Sequence, residues 1–109
     1  IAEKLHAIAL LGMTNSRLKD YFDLSVLLER DTLDNDLLAQ AVKATFERRG
    51  MPVPHALPVG LTEEFAGDTS RQALWLAFLR KNDLAPTPLP AVVGRVRGAL
   101  MPVLQSLVP

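Results

Sequence analysis

Between its prolines the chain repeats one pattern: apolar residues return every three or four positions, and nowhere do they alternate convincingly one by one. Ile1, Leu5, Ile8 and Leu11 form a stripe with Ala2, Ala7 and Ala9 between them, so 1–11 reads as a largely buried helix that stops at Gly12. A second helix is expected over 17–30, capped by Asn15 or Ser16, with Leu18, Tyr21, Leu24, Ser25 and Leu28 on one face. The third, over 34–49, has Asp34 as N-cap and Leu33 with Leu38 as a hydrophobic staple. It ends in "ERRG", basic residues at the negative end of the helix dipole with Gly50 after them. "MPVPHALPVG" then argues against regular structure, because its prolines lack amide donors and push their predecessors toward extended backbone.

After that connector, 51–61, the remaining helices fall within 62–107. Thr62 is placed to open a short helix and Asp68 a longer one, while Thr69 with Gln72 has the spacing of a capping box. Leu74, Trp75, Phe78 and Leu79 lie at core spacing in the longer helix, and core packing is preferred to a base-stacking role for Trp75 and Phe78. Ala91–Leu107 gives a last amphipathic helix that Pro102 should kink or divide. The expected fold is all-α, an irregular bundle of about five helices in a single domain, 1–109.

A chain of 109 residues can bury roughly two-thirds of its unfolded surface, enough for one core. Twelve basic and twelve acidic side chains cancel, which argues against a surface built as a whole to hold nucleic acid; an anion site would have to be local. The absence of cysteine removes disulfide scaffolds and thiolate zinc sites, leaving His6 and His55 as the imidazoles. No apolar run approaches the roughly 20 residues that cross a bilayer, no signal peptide is evident, and a cytoplasmic location without membrane contact is expected. The chain starts at Ile1, already in helical pattern, and is expected to be part of a longer protein.

Charge is concentrated in "NSRLKDYFDL", which sets Arg17, Lys19, Asp20 and Asp23 in the opening turns of the second helix. Exposed backbone N–H groups disfavour cations there, so helix stability alone would not select Arg17 and Lys19. Asp20 and Asp23 stand three apart, and Lys19 can reach Asp23 as an i,i+4 pair. Lys4 lies at the edge of the first helix's apolar stripe, where its stem can pack while its ammonium passes the core. A hairpin would bring it toward Asp20 across a moderate diagonal gap that a phosphate or metal could fill. Spacing alone favours a solvated, ion-paired face; the competing reading is an apparatus of carboxylates and cations for phosphoryl or nucleotidyl transfer. His6 reads as a partly exposed, hydrogen-bonded histidine, and the "ERRG" arginines are explained by the helix dipole.

"EKLHAIALLGMTNSRLKDYFDLSVL" resembles the closing motif region of the AbiEii/AbiGii nucleotidyltransferase family, toxins of AbiE-type bacterial toxin–antitoxin systems associated with phage defence. In that region an "EKLHA" helix precedes an "R-x-KD-x-x-DL" helix. The resemblance implies catalytic roles for Lys4, Asp20 and Asp23, with Asp20 favoured for acid–base work. It also implies phosphate contacts from Lys4, Arg17 and Lys19. A nucleoside triphosphate substrate and Mg2+ are implied too, the metal held mainly by acids of a "GS/GG…DxD" motif on a sheet that these 109 residues do not contain. No metal ligand is assigned here. The chain is thus expected to be the C-terminal helical portion of such an enzyme, inactive alone, whose partners are an N-terminal nucleotidyltransferase core, a possible cognate antitoxin and a possible RNA acceptor. The alternative is a non-enzymatic helical module that docks a protein partner.

Overall fold

A computed structural model of the protein describes residues 1–12, 18–30 and 34–108. Within them the architecture is all-helical, and no strand occurs among the described residues. The helices are α1 (Ala2–Leu11), α2 (Leu18–Arg30), α3 (Asn35–Arg48), α4 (Glu63–Gly67), α5 (Thr69–Lys81) and α6 (Leu89–Ser106). Five are long and α4 is a single short turn, in keeping with the irregular bundle expected from the apolar spacing. Arg17, Leu33 and the capping candidates Asn15 and Ser16 lie outside the described residues.

Local chemistry sets most boundaries. The Asp34 carboxylate accepts from the amides of Asp36 and Leu37, Thr62 Oγ1 from Phe65 N, and Asp68 from Arg71 N, which satisfies donors that a helix start leaves open. Asp68 is therefore the cap of α5, and the expected Thr69–Gln72 box does not form. Thr69 is already inside the helix, and Gln72 Nε2 donates instead to the Ala66 carbonyl. At the other end of α3, Gly50 takes φ 68°, a left-handed value that a side chain would resist.

The sequence reading also needs correction at three tertiary features. The connector is not wholly irregular: Val59–Leu61 makes one turn of 3-10 helix, with Pro58 as the residue before it. Leu74 is 58% exposed, because α5 buries Trp75 and Leu79 and turns Leu74 to solvent. Pro102 does not divide the last helix, which runs unbroken from Leu89 to Ser106. Trp75 and Phe78 belong to the packing, as the spacing suggested: their rings stack at 5.7 Å, and Trp75 Nε1 donates to the Thr87 carbonyl, pinning the loop before α6.

α6 is the axis of the bundle, packed by α2, α3 and α4. Its Val93, Val96 and Leu100 are fully buried among Leu24, Val42 and Phe65 from the surrounding helices. α1 lies chiefly on α3 and on the 3-10 turn, and touches α2 only lightly. The two motif-bearing helices are therefore held beside one another by third parties, a point that bears on the site.

Candidate functional site

The charges singled out in α1 and α2 do converge. Lys4 Nζ lies 3.1 Å from Asp20 Oδ1 and 3.0 Å from Asp23 Oδ2, so one ammonium bridges both acids. Lys19 Nζ, one turn before Asp23 on the same helix, lies 2.7 Å from the same Asp23 oxygen. The diagonal gap expected between Lys4 and Asp20 is absent: the two helices are close enough for the four-carbon lysine stem to span it. Arg17, the remaining candidate, lies outside the described residues.

Burial differs sharply among the four. The Asp20 side chain is 6% exposed, Asp23 24%, Lys4 29% and Lys19 73%. Asp20 also sits in the first turn of α2, where the helix dipole favours a negative charge. Burial acts to lower the Lys4 pKa, but hydrogen bonds to Asp23 and Asp20, and their charges, outweigh it and leave the ammonium above the ordinary lysine value. For Asp23, burial pushes upward, while hydrogen bonds from Lys19 and Lys4 win and hold the carboxyl below its usual range. Lys4 and Asp23 thus hold each other in their charged forms.

Two further features were not legible in the sequence. Glu3 accepts from Arg48 Nη2 at 2.6 Å and Arg49 Nη2 at 2.9 Å, tying the start of α1 to the end of α3. These are the "ERRG" arginines, whose position the dipole explains but whose partner, 45 and 46 positions away, no local rule indicates. Hydrogen bonds from Arg48 and Arg49 lower the Glu3 pKa. The second feature is His6, which is buried rather than partly exposed: its ring meets Phe46 edge-on with centroids 5.2 Å apart. Beside these residues opens a cleft of about 680 Å³, with Glu3, Lys4, His6 and Arg49 on its walls and Leu10 among its apolar lining.

The donor set can be tested against Mg2+. Among the described residues no three His, Asp or Glu side chains gather in a way that could hold a metal ion. The acids that do gather, Asp20 and Asp23, already share an ammonium, whose positive charge occupies the position a dication would need. A hard cation that requires about six oxygens does not fit these residues. What the arrangement can do chemically is present a fixed positive charge to an anion in the cleft.

No curated protein and no solved structure matches the chain. A family model described as "Nucleotidyl transferase AbiEii toxin, Type IV TA system" matches residues 1–97. That span takes in the Lys4–Asp20–Asp23 crossing, the connector and every helix up to the middle of α6. Covered in this way over most of its length, the chain belongs to the AbiEii family of nucleotidyl transferase toxins.

Proposed function

We propose that this helical unit serves nucleotidyl transfer by supplying Lys4 to the phosphates of a nucleoside triphosphate and Asp20 to proton handling. Asp23 keeps the lysine charged and aimed. The acids that bind Mg2+ would come from a nucleotidyltransferase core beyond these residues. The observation that carries the reading is the shared ammonium: two of the three Lys4 donors are taken by Asp20 and Asp23, while the same side chain borders the cleft. Family membership supplies the reaction class.

In such a reaction an acceptor oxygen attacks the α-phosphorus of the triphosphate. A new O–P bond forms, the bond to the β-phosphate oxygen breaks, pyrophosphate departs, and the acceptor hydroxyl proton passes to a base. Negative charge grows on the phosphoryl oxygens during transfer, and a pre-oriented ammonium stabilises it without reorganisation. We assign receipt of the proton to Asp20, a buried carboxylate in the first turn of α2 that also accepts from Lys4. Lys19, largely exposed, would add a second positive charge for phosphate oxygens, as would Arg17. An RNA acceptor and a cognate antitoxin belong to the same proposal as the substrate and partner that a toxin of this class requires.

The test is incorporation of labelled nucleotides into RNA by the full-length protein. Lys4→Ala and Asp20→Ala should each lower it by about 10²–10³-fold, the scale of losing one preorganised charge-stabilising contact, with the helical circular dichroism retained. Wild-type incorporation by either folded variant would refute the assignment. The 109 residues alone should give no turnover, and robust turnover by them would refute the need for a core.

A further inference from the structure

The two helices that carry the charged set touch each other only lightly; α1 packs on the turn of the connector, and α2 reaches that turn through the Tyr21 hydroxyl. At the point of contact is Gly60. A Cβ added there would lie 2.7 Å from Tyr21 Oη and 2.8 Å from Ile8 Cγ2, closer than a carbon atom packs, and in tight contact at 3.2 Å with the Ile8 carbonyl oxygen. Ile8 is one turn beyond Lys4 on α1, and Tyr21 follows Asp20 directly on α2. Both are fully buried. Tyr21 Oη donates to the Gly60 carbonyl at 2.8 Å, and its ring stacks on Phe65 at 5.3 Å. From the far side, Arg97 Nη1 of α6 donates to the Leu61 carbonyl at 2.9 Å and braces the turn.

We infer that Gly60 and Tyr21 are positioning residues for the Lys4–Asp20–Asp23 set: the backbone of the connector is wedged between α1 and α2, and its thickness fixes how far apart those charges stand. A glycine gives the thinnest possible wedge. The tyrosine hydroxyl ties the wedge to the helix bearing both acids. The proline-rich stretch before it thereby acquires a role beyond linkage, since proline restricts the backbone leading into the turn. The inference rests on the proposed function for its meaning, but not for its test.

The test is the state of Lys4 in the chain itself, read by ¹⁵N NMR of its side-chain ammonium, with Val103→Ala in α6 as a control that also disturbs buried packing. The ammonium signal, slowed in exchange by its two carboxylates, is expected in the wild type and in Val103→Ala. It should be lost in Gly60→Ala, with the Lys4 titration midpoint falling toward the ordinary lysine range. Tyr21→Phe keeps the ring and crowds nothing, so it decides the matter even where Gly60→Ala does not fold; a weakened signal and a lowered midpoint are expected. Retention of both in the folded Gly60 and Tyr21 variants would overturn the inference, as would their equal loss in Val103→Ala. Failure of Tyr21→Phe to fold would also overturn it, because the hydroxyl would then be a tie for the whole bundle. No nucleotide enters the measurement, so its failure is distinct from failure of the transfer assignment.

Discussion

Replacing Lys4 by Met keeps most of the side-chain stem and removes only the charge, which isolates the electrostatics of the site. The loss leaves Asp20, 6% exposed, without its ammonium, while Asp23 retains Lys19. A hydrogen bond to a charged group contributes about 1.5–3 kcal/mol, and a fully exposed ion pair about 0–1. With the Lys4 side chain 29% exposed, the cost should be about 2 kcal/mol. For 109 residues that corresponds to a fall in Tm of about 9 °C. Its pH dependence has a defined sign. The Lys4 pKa is raised, so its contribution is complete below the ordinary value of 10.5 and is lost as pH climbs through the higher folded value. The Asp23 pKa is lowered, so its contribution is complete above the ordinary 3.8 and is lost as pH falls through the lower folded value. Urea unfolding of wild type and Lys4→Met across pH should therefore give a difference that is flat between those limits and shrinks beyond each. A variant as stable as wild type at pH 7, or a difference that persists unchanged at high pH, would refute the bridging ammonium.

Two further predictions concern the scaffold. Asp68→Ala removes the cap on Arg71 N and should cost about 1 kcal/mol in urea unfolding. Asp68→Asn should recover most of that, because the ion pair to Arg71, at 3.8 Å, is the lesser contact. Gly98→Ala, inside α6 with no heavy atom within 4 Å of the added carbon, should raise stability by about 1 kcal/mol; a lower Tm in thermal unfolding would contradict the open space at that position.

The features legible in the sequence were those with short-range causes. Helical periodicity placed α1, α2, α3 and α6 to within a few residues, because one apolar stripe per helix is the condition for burial in a bundle. Asp34, Thr62 and Asp68 announced helix starts because a side-chain oxygen before an amide row is a local solution to a local problem. Where two local solutions competed, at Asp68 and Thr69, spacing alone did not rank them. Leu74 was misplaced for a related reason: α5 buries a narrow strip centred on Trp75 and Leu79, and the width of that strip depends on its neighbours.

For the candidate site, the approach of Lys4 to the acids of α2 was legible in the sequence, and the direct contact between them was not. Lys19 and Asp23, four apart on one helix, could be paired by counting. Lys4 meets acids 16 and 19 positions away, and Glu3 meets arginines still farther along, so both contacts depend on how whole helices cross. Between Ile8 of α1 and the Tyr21 hydroxyl of α2 lies the Gly60 turn, in a stretch whose prolines argue against regular structure. A connector can thus carry tertiary information that periodicity does not record.

Stability is a weak reason for such a cluster. Burying a carboxylate such as Asp20 costs several kcal/mol of hydration, and its ammonium returns that cost only when geometry and further hydrogen bonds are good. Apolar side chains of similar volume would hold α1 against α2 about as well and without dependence on pH. A charge set that is expensive to bury, shared between two lightly touching helices and with Lys4 bordering a cleft, agrees with the proposed contact to an anion. Those two explanations separate on one substitution pattern. If the set is only structural, Lys4→Met combined with Asp20→Leu and Asp23→Leu should leave fold and function both near wild type. If it serves chemistry, that apolar triple variant should stay folded, with helix content near wild type, and lose nucleotidyl transfer in the full-length protein.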